Sequence, residues 1–179
     1  THSATTTAVT VDDDGNIYTA SAMWQTTEPL QVSQLGIDEN HTVGPGSVSG
    51  MNLVVHKVTK DGELVWVWEL RAVTPGTNGW WRDIAVAPDG TVHVVGYYKG
   101  LGHAWHHQAG DPVRSSVSAT GELIDGDWIM PWTSPRNNGQ LVSINSDGTT
   151  KFMKRLKSNG QSFLNSVDVN DAGEILIGG

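Results

Sequence analysis

This sequence has no cysteine, and only two phenylalanines against eight tryptophans. The missing cysteine excludes disulfides and thiolate metal sites while leaving the compartment open. Basic residues are scarce: eleven Lys and Arg stand against nineteen Asp and Glu, a net charge of −8. That balance repels a phosphate backbone and argues against a nucleic-acid partner. No apolar run approaches the length of a membrane span. A phosphate-cradling loop, Gly-x-Gly-x-x-Gly, Gly-x-Ser-x-Gly and His-Glu-x-x-His are all missing, so the chain carries no strong catalytic or cofactor signature. It also has no signal peptide and begins at Thr1 without methionine, which predicts a processed chain or a piece of a longer one.

What the chain does have is hairpin chemistry. From Trp81 to Gly96, two runs rich in β-branched residues flank Pro88-Asp89-Gly90, the composition of a tight turn between antiparallel strands. Both runs are apolar at nearly every position, which predicts protein on both faces of this hairpin. The hairpin recurs. Aligned on the turn glycines, Gly15 leads to Ser21, Gly90 to Gly96 and Gly173 to Gly179, each six residues on. A second hairpin type lies between these copies, at Val55 to Trp66 around Gly62 and at Leu141 to Phe152 around Gly148.

Two alternating hairpins make a four-stranded unit, and units repeating in line indicate a propeller or solenoid. The expected fold class is therefore all-β, with blades of four antiparallel strands and almost no helix. The first blade covers 4–72 with an insert at 23–50, and the second 80–157 with an insert at 97–138; a half blade covers 162–179. Strands then fall in groups of four, four and two. Propellers close with about four to eight blades, so this count predicts a fragment whose Gly173 hairpin has an unpaired edge.

These repeats resemble the bacterial β-propeller repeat family of surface propellers. Its unit runs Asp-x-x-Gly-Asn-x-Tyr-Val-Thr-Gly and then Lys-Leu-x-x-x-Gly-x-x-x-Trp. Asp12, Gly15, Asn16 and Tyr18 fit the first half; Lys57, Gly62 and Trp66 fit the second. The second unit departs with Thr91 and His93 in place of Asn and Tyr, and both full units carry long inserts. The resemblance covers about half of the chain and rests on turn and packing residues, so it implies blade architecture rather than an activity. Low charge with abundant Gly, Thr, Ser and Trp suits an extracellular or cell-surface all-β protein.

Candidate sites follow from the turns and inserts. Asp12, Asp13 and Asp14 before Gly15 suit either a calcium ion or a solvated acidic turn, since the spacing is not that of an EF-hand. Trp66 and Trp68 share one strand face, where blade packing is the stronger reading and sugar stacking the weaker. Asn40-His41-Thr42 is a glycosylation sequon. Lys151, Lys154, Arg155 and Lys157 read as charges guarding an outer strand edge.

The longer insert holds the densest chemistry: His103, Trp105, His106, His107, Asp111, Asp125, Trp128 and Trp132. His103, His106 and His107 with a carboxylate suit zinc or another imidazole-binding metal. In that reading a bound water is the nucleophile of a hydrolase or lyase, and Asp111 or Asp125 is the base. The competing reading is an exposed polar loop, because Gly and Pro surround the group. Both inserts fall between the first and second hairpins of their blades, which predicts that they emerge on one side of the disc. Trp24, Trp105, Trp128 and Trp132, with the histidines and Asp111, then form one binding surface. The leading functional expectation is a non-enzymatic module binding a protein or glycan partner or self-assembling. A metal-dependent propeller enzyme and a purely structural spacer are the alternatives.

Overall fold

The computed structural model describes residues 3–25, 30–31, 42–43, 50–72, 75–100, 102–108, 136–156 and 158–179. Among these, every regular element is a β-strand and every strand pair is antiparallel.

Five hairpin turns share one local design. In each, a residue accepts at its carbonyl from the glycine amide three positions on, and donates to the carbonyl four positions on. The pairs are Asp12–Gly15, Thr59–Gly62, Ala87–Gly90, Asn145–Gly148 and Asn170–Gly173. Each glycine has φ between 76° and 89°, the left-handed conformation that closes this type of hairpin with a bulge. At four of the five turns the first residue is polar, Ala87 being the exception, and such a side chain can lock the turn. Asp12 Oδ1 accepts from the Asp14 and Asn16 amides at 3.1 and 2.8 Å, and Asn170 Oδ1 accepts from Ala172 and Glu174 at 3.1 and 2.9 Å.

The first sheet contains β1 (Ser3–Val11), β2 (Ile17–Gln25), β5 (Gly50–Val58), β6 (Leu64–Ala72) and β9 (Gly102–Gln108), in that order. A short pair, β3 (Leu30–Gln31) and β4 (Thr42–Val43), lies between β2 and β5 in sequence. The second sheet runs β7 (Asn78–Val86), β8 (Val92–Lys99), β10 (Asn138–Ile144) and β11 (Thr150–Arg155). The third hairpin is β12 (Ser166–Val169) and β13 (Ile175–Gly178).

Alternation along the strands gives each sheet two distinct faces. Tyr18, Leu53, Val55, Trp66, Trp68 and Leu70 of the first sheet share one core with Trp81, Ile84, Val92, Val94, Val142 and Ile144 of the second. The tryptophans bind the two sheets: Trp66 Nε1 donates to the Ser146 carbonyl at 3.0 Å, and Trp68 Nε1 to Thr150 Oγ1 at 2.8 Å. A Cβ at Gly148 would lie 2.8 Å from Trp66 Cγ, so this turn needs glycine for close approach as well as for its φ of 89°. On the opposite face of the second sheet, Val95 and Leu141 form a smaller core with Leu164 and Val167, and Ile175 packs against it. The Gly90 hairpin is therefore covered on both faces, as its continuous apolar runs predict.

Three expectations need correction. The first sheet has five strands rather than four. Residues 102–108, expected within a loop insert, form β9 along the edge of β6. The apolar strand β6 would otherwise present unpaired backbone groups at the sheet edge, whereas β11 at the edge of the second sheet carries Lys151, Lys154 and Arg155. Finally, the insert at 23–50 is shorter than expected, because β2 continues to Gln25 and pairs with β5 from Gly50.

Candidate functional site

The face of the first sheet turned away from the second carries an unusual set of polar side chains. Register aligns Thr6, Ser21, Val54, Glu69 and Trp105 in one row across five strands. The neighbouring row holds Thr19, His56 and Val67. Asn52, His56 and Glu69 are all buried. Such groups are tolerated only with partners. Asn52 Oδ1 accepts from the Ala72 amide at 2.9 Å, and Thr19 Oγ1 lies 3.4 Å from His56 Nδ1.

Glu69 and Arg71, two residues apart on β6, share this face. Arg71 Nε donates to Glu69 Oε2 at 2.5 Å, and the guanidinium carbon lies 4.6 Å from the centre of the Trp105 ring. Burial pushes the Glu69 carboxyl above its ordinary value, and Arg71 opposes the shift. The guanidinium is thus held between a buried anion and an indole face, which orients both Arg71 and the half-buried Trp105. His103 occupies the register position opposite Arg71.

His106 is on the other face. It pairs in register with Trp68, and Asp147 of the Asn145–Gly148 turn is near enough to act on it. Burial lowers its pKa, and the nearby Asp147 acts against that. Burial raises the Asp147 carboxyl, but hydrogen bonds from Thr149 and the proximity of His106 bring it below its ordinary value. Among the described residues, no three His, Asp or Glu side chains are grouped as a metal site would need.

Trp24 is exposed on β2 opposite Met51, on the side whose core meets the second sheet. The single surface expected to join Trp24 with Trp105 is therefore not assembled: strand alternation puts them on opposite faces. Asp111, Asp125, Trp128 and Trp132 lie outside the described residues. At the first turn, Asp13 and Asp14 are exposed. Asp12 Oδ2 accepts from Asn16 Nδ2 at 2.8 Å and Tyr18 Oη at 2.9 Å, so its carboxylate already has four donors from the turn. Burial would raise the Asp12 pKa, but the hydrogen bonds from Asn16 and Tyr18 outweigh it and lower the pKa.

A second buried pair lies between the second sheet and the third hairpin, where His93 Nδ1 is 2.7 Å from Ser143 Oγ. Both side chains are buried, so this serine is a core partner of the imidazole rather than an accessible nucleophile. Burial, and then Lys151, hold the His93 pKa below its ordinary value, opposed by Asp89.

Sequence reasoning missed Glu69, Arg71, Asn52 and His56. Glu69 did carry a signal: a lone carboxylate inside the apolar run from Leu64 to Leu70. Among the described residues no helix is long and apolar enough to cross a membrane. No protein-family model matches the chain. No curated protein matches it in sequence.

Proposed function

We propose that this chain is a non-enzymatic extracellular or cell-surface module built from β-propeller blades, which binds a protein or glycan partner. The two sheets and the third hairpin are successive blades in this reading. Their common turn design and their face-to-face stacking support it. The observation that carries the binding role is the Glu69–Arg71–Trp105 arrangement on the outer sheet face. Trp and Arg are the residues most enriched among interface anchors, and here the indole is oriented in advance by a guanidinium tied to a buried carboxylate.

A panel of immobilised glycans and surface-protein fractions, probed with the purified chain, tests this directly. Trp105→Ala is expected to weaken the captured interaction by about tenfold or more while leaving the circular dichroism spectrum unchanged. Equal binding by the wild type and Trp105→Ala would overturn the assignment.

A further inference from the structure

The face of the second sheet turned toward the first is aliphatic near its hairpin turns, where Val92, Val94, Val142 and Ile144 join the shared core. Its character changes further along the strands. Register sets Trp81, Gly96, Gln140 and Arg155 in one row across all four strands. Tyr98, two residues beyond Gly96, is on the same face and diagonal to Trp81, about 7–8 Å away along the backbone positions.

This end of the core holds donors that nothing accepts from. Trp81 is 0% exposed and Tyr98 2%, yet Trp81 Nε1 and Tyr98 Oη are buried without a hydrogen-bond partner among the described residues. Arg155 Nε is buried and unpartnered too. By contrast, the Trp66 and Trp68 indoles of the same core both donate, to the Ser146 carbonyl and to Thr150. Gln140, also 2% exposed, stands between the indole and the guanidinium. Gly96 leaves the row with no side chain between Trp81 and Gln140. Gly102 of β9 keeps clear of the hydroxyl: a Cβ there would lie 2.8 Å from Tyr98 Oη.

Buried donors left unmade are costly, and a buried cation without a counter-charge more so. Burial lowers the Arg155 pKa, and no carboxylate among the described residues acts against it. An indole N–H and a phenol O–H call for an acceptor, and the guanidinium for an anion. Water satisfies the first two but not the charge. A carboxylate supplies both, and its planar oxygen pair matches the guanidinium fork. We propose that this end of the inter-sheet core binds a small carboxylate, paired with Arg155 and accepting from the Trp81 indole and the Tyr98 hydroxyl. The depth of Trp81 and Tyr98 limits the ligand to a few non-hydrogen atoms. The site is separate from Trp105 and does not depend on the blade reading, so either can fail alone.

Nitrogen–proton correlation spectra of the chain, titrated with sodium acetate, test the proposal. Sodium chloride at equal ionic strength and neutral acetamide are the comparisons. The Trp81 indole resonance, assigned with Trp81→Phe, is expected to move saturably with acetate and little with either comparison. Arg155→Gln should weaken acetate about tenfold or more, and Tyr98→Phe several-fold, since one loses a charged partner and the other a neutral bond. Arg155→Lys keeps the charge without the fork and should fall between wild type and Arg155→Gln. Lys154→Gln, on the opposite face of β11, should bind acetate as the wild type does. Circular dichroism confirms that each variant is folded. No saturable shift, an equal shift with chloride, or unchanged acetate binding in folded Arg155→Gln and Tyr98→Phe would each overturn it. A Trp81 indole proton that exchanges magnetisation with water and ignores acetate would make this a buried-water site only, and would overturn it too.

Discussion

Replacing Asp83 by alanine is expected to loosen the third hairpin before it disturbs either sheet. Asp83 follows a bulge in β7, where its Oδ1 accepts from the Ile84 amide and its Oδ2 from the Val167 amide, both at 2.9 Å. One carboxylate therefore satisfies an edge amide of its own strand and the amide that anchors β12. A hydrogen bond to a charged group contributes about 1.5–3 kcal/mol. Asp83 is half-buried, so water replaces part of each bond and the low end applies. The expected loss is roughly 2–3 kcal/mol in total, of which the Val167 share falls on the hairpin. Val167 of β12 and Leu164 just before it also share a core with the second sheet, so the hairpin should open locally rather than detach. Native-state amide exchange reads this directly. A local loss of about 1–1.5 kcal/mol speeds exchange at Val167 roughly five- to twelvefold, with Leu53 and Val55 in the first sheet little changed. Asp83→Asn keeps one acceptor and should fall between. Unchanged exchange at Val167, or equal acceleration throughout the first sheet, would refute the reasoning.

Three other outcomes are expected. Thr150→Val removes the acceptor from the buried Trp68 indole and should destabilise the chain by about 1–3 kcal/mol, measured by urea unfolding. In a double-mutant cycle, Trp68→Phe should make the Thr150 change nearly neutral. His93 has a folded pKa below its ordinary 6.5, so the unfolded chain binds the extra proton first. Stability should therefore fall as pH drops from 6.5 toward the depressed folded value, and His93→Gln should flatten that part of the profile. Arg71→Ala takes the guanidinium from the buried Glu69 carboxylate and should cost about 3 kcal/mol at neutral pH. The loss should shrink toward acid, where Glu69 is protonated, and Trp105 fluorescence should report the freed indole.

The turn glycines, the alternation of two hairpin types and the double-faced burial of the Gly90 hairpin were all legible in the sequence. Each depends on a few adjacent residues: a left-handed glycine in a polar turn, or a strand with no polar face. The reading of Trp66 and Trp68 as packing rather than sugar stacking was equally local, because two large apolar rings on one strand face call for a partner surface, which here is the second sheet. By contrast, nothing within Gly102 to Gln108 announces that it pairs with β6. Edge pairing is made by backbone groups, which every residue type carries, so its partner is chosen by what remains open after the hairpins have formed. That choice moved His103, Trp105, His106 and His107 from a loop to a strand and set Trp105 beside Arg71 instead of Trp24. The sequence by itself determined the hairpins and their repeat, because turn chemistry acts over five residues; only the tertiary structure decided which side chains share a face, because register and edge pairing join residues dozens of positions apart.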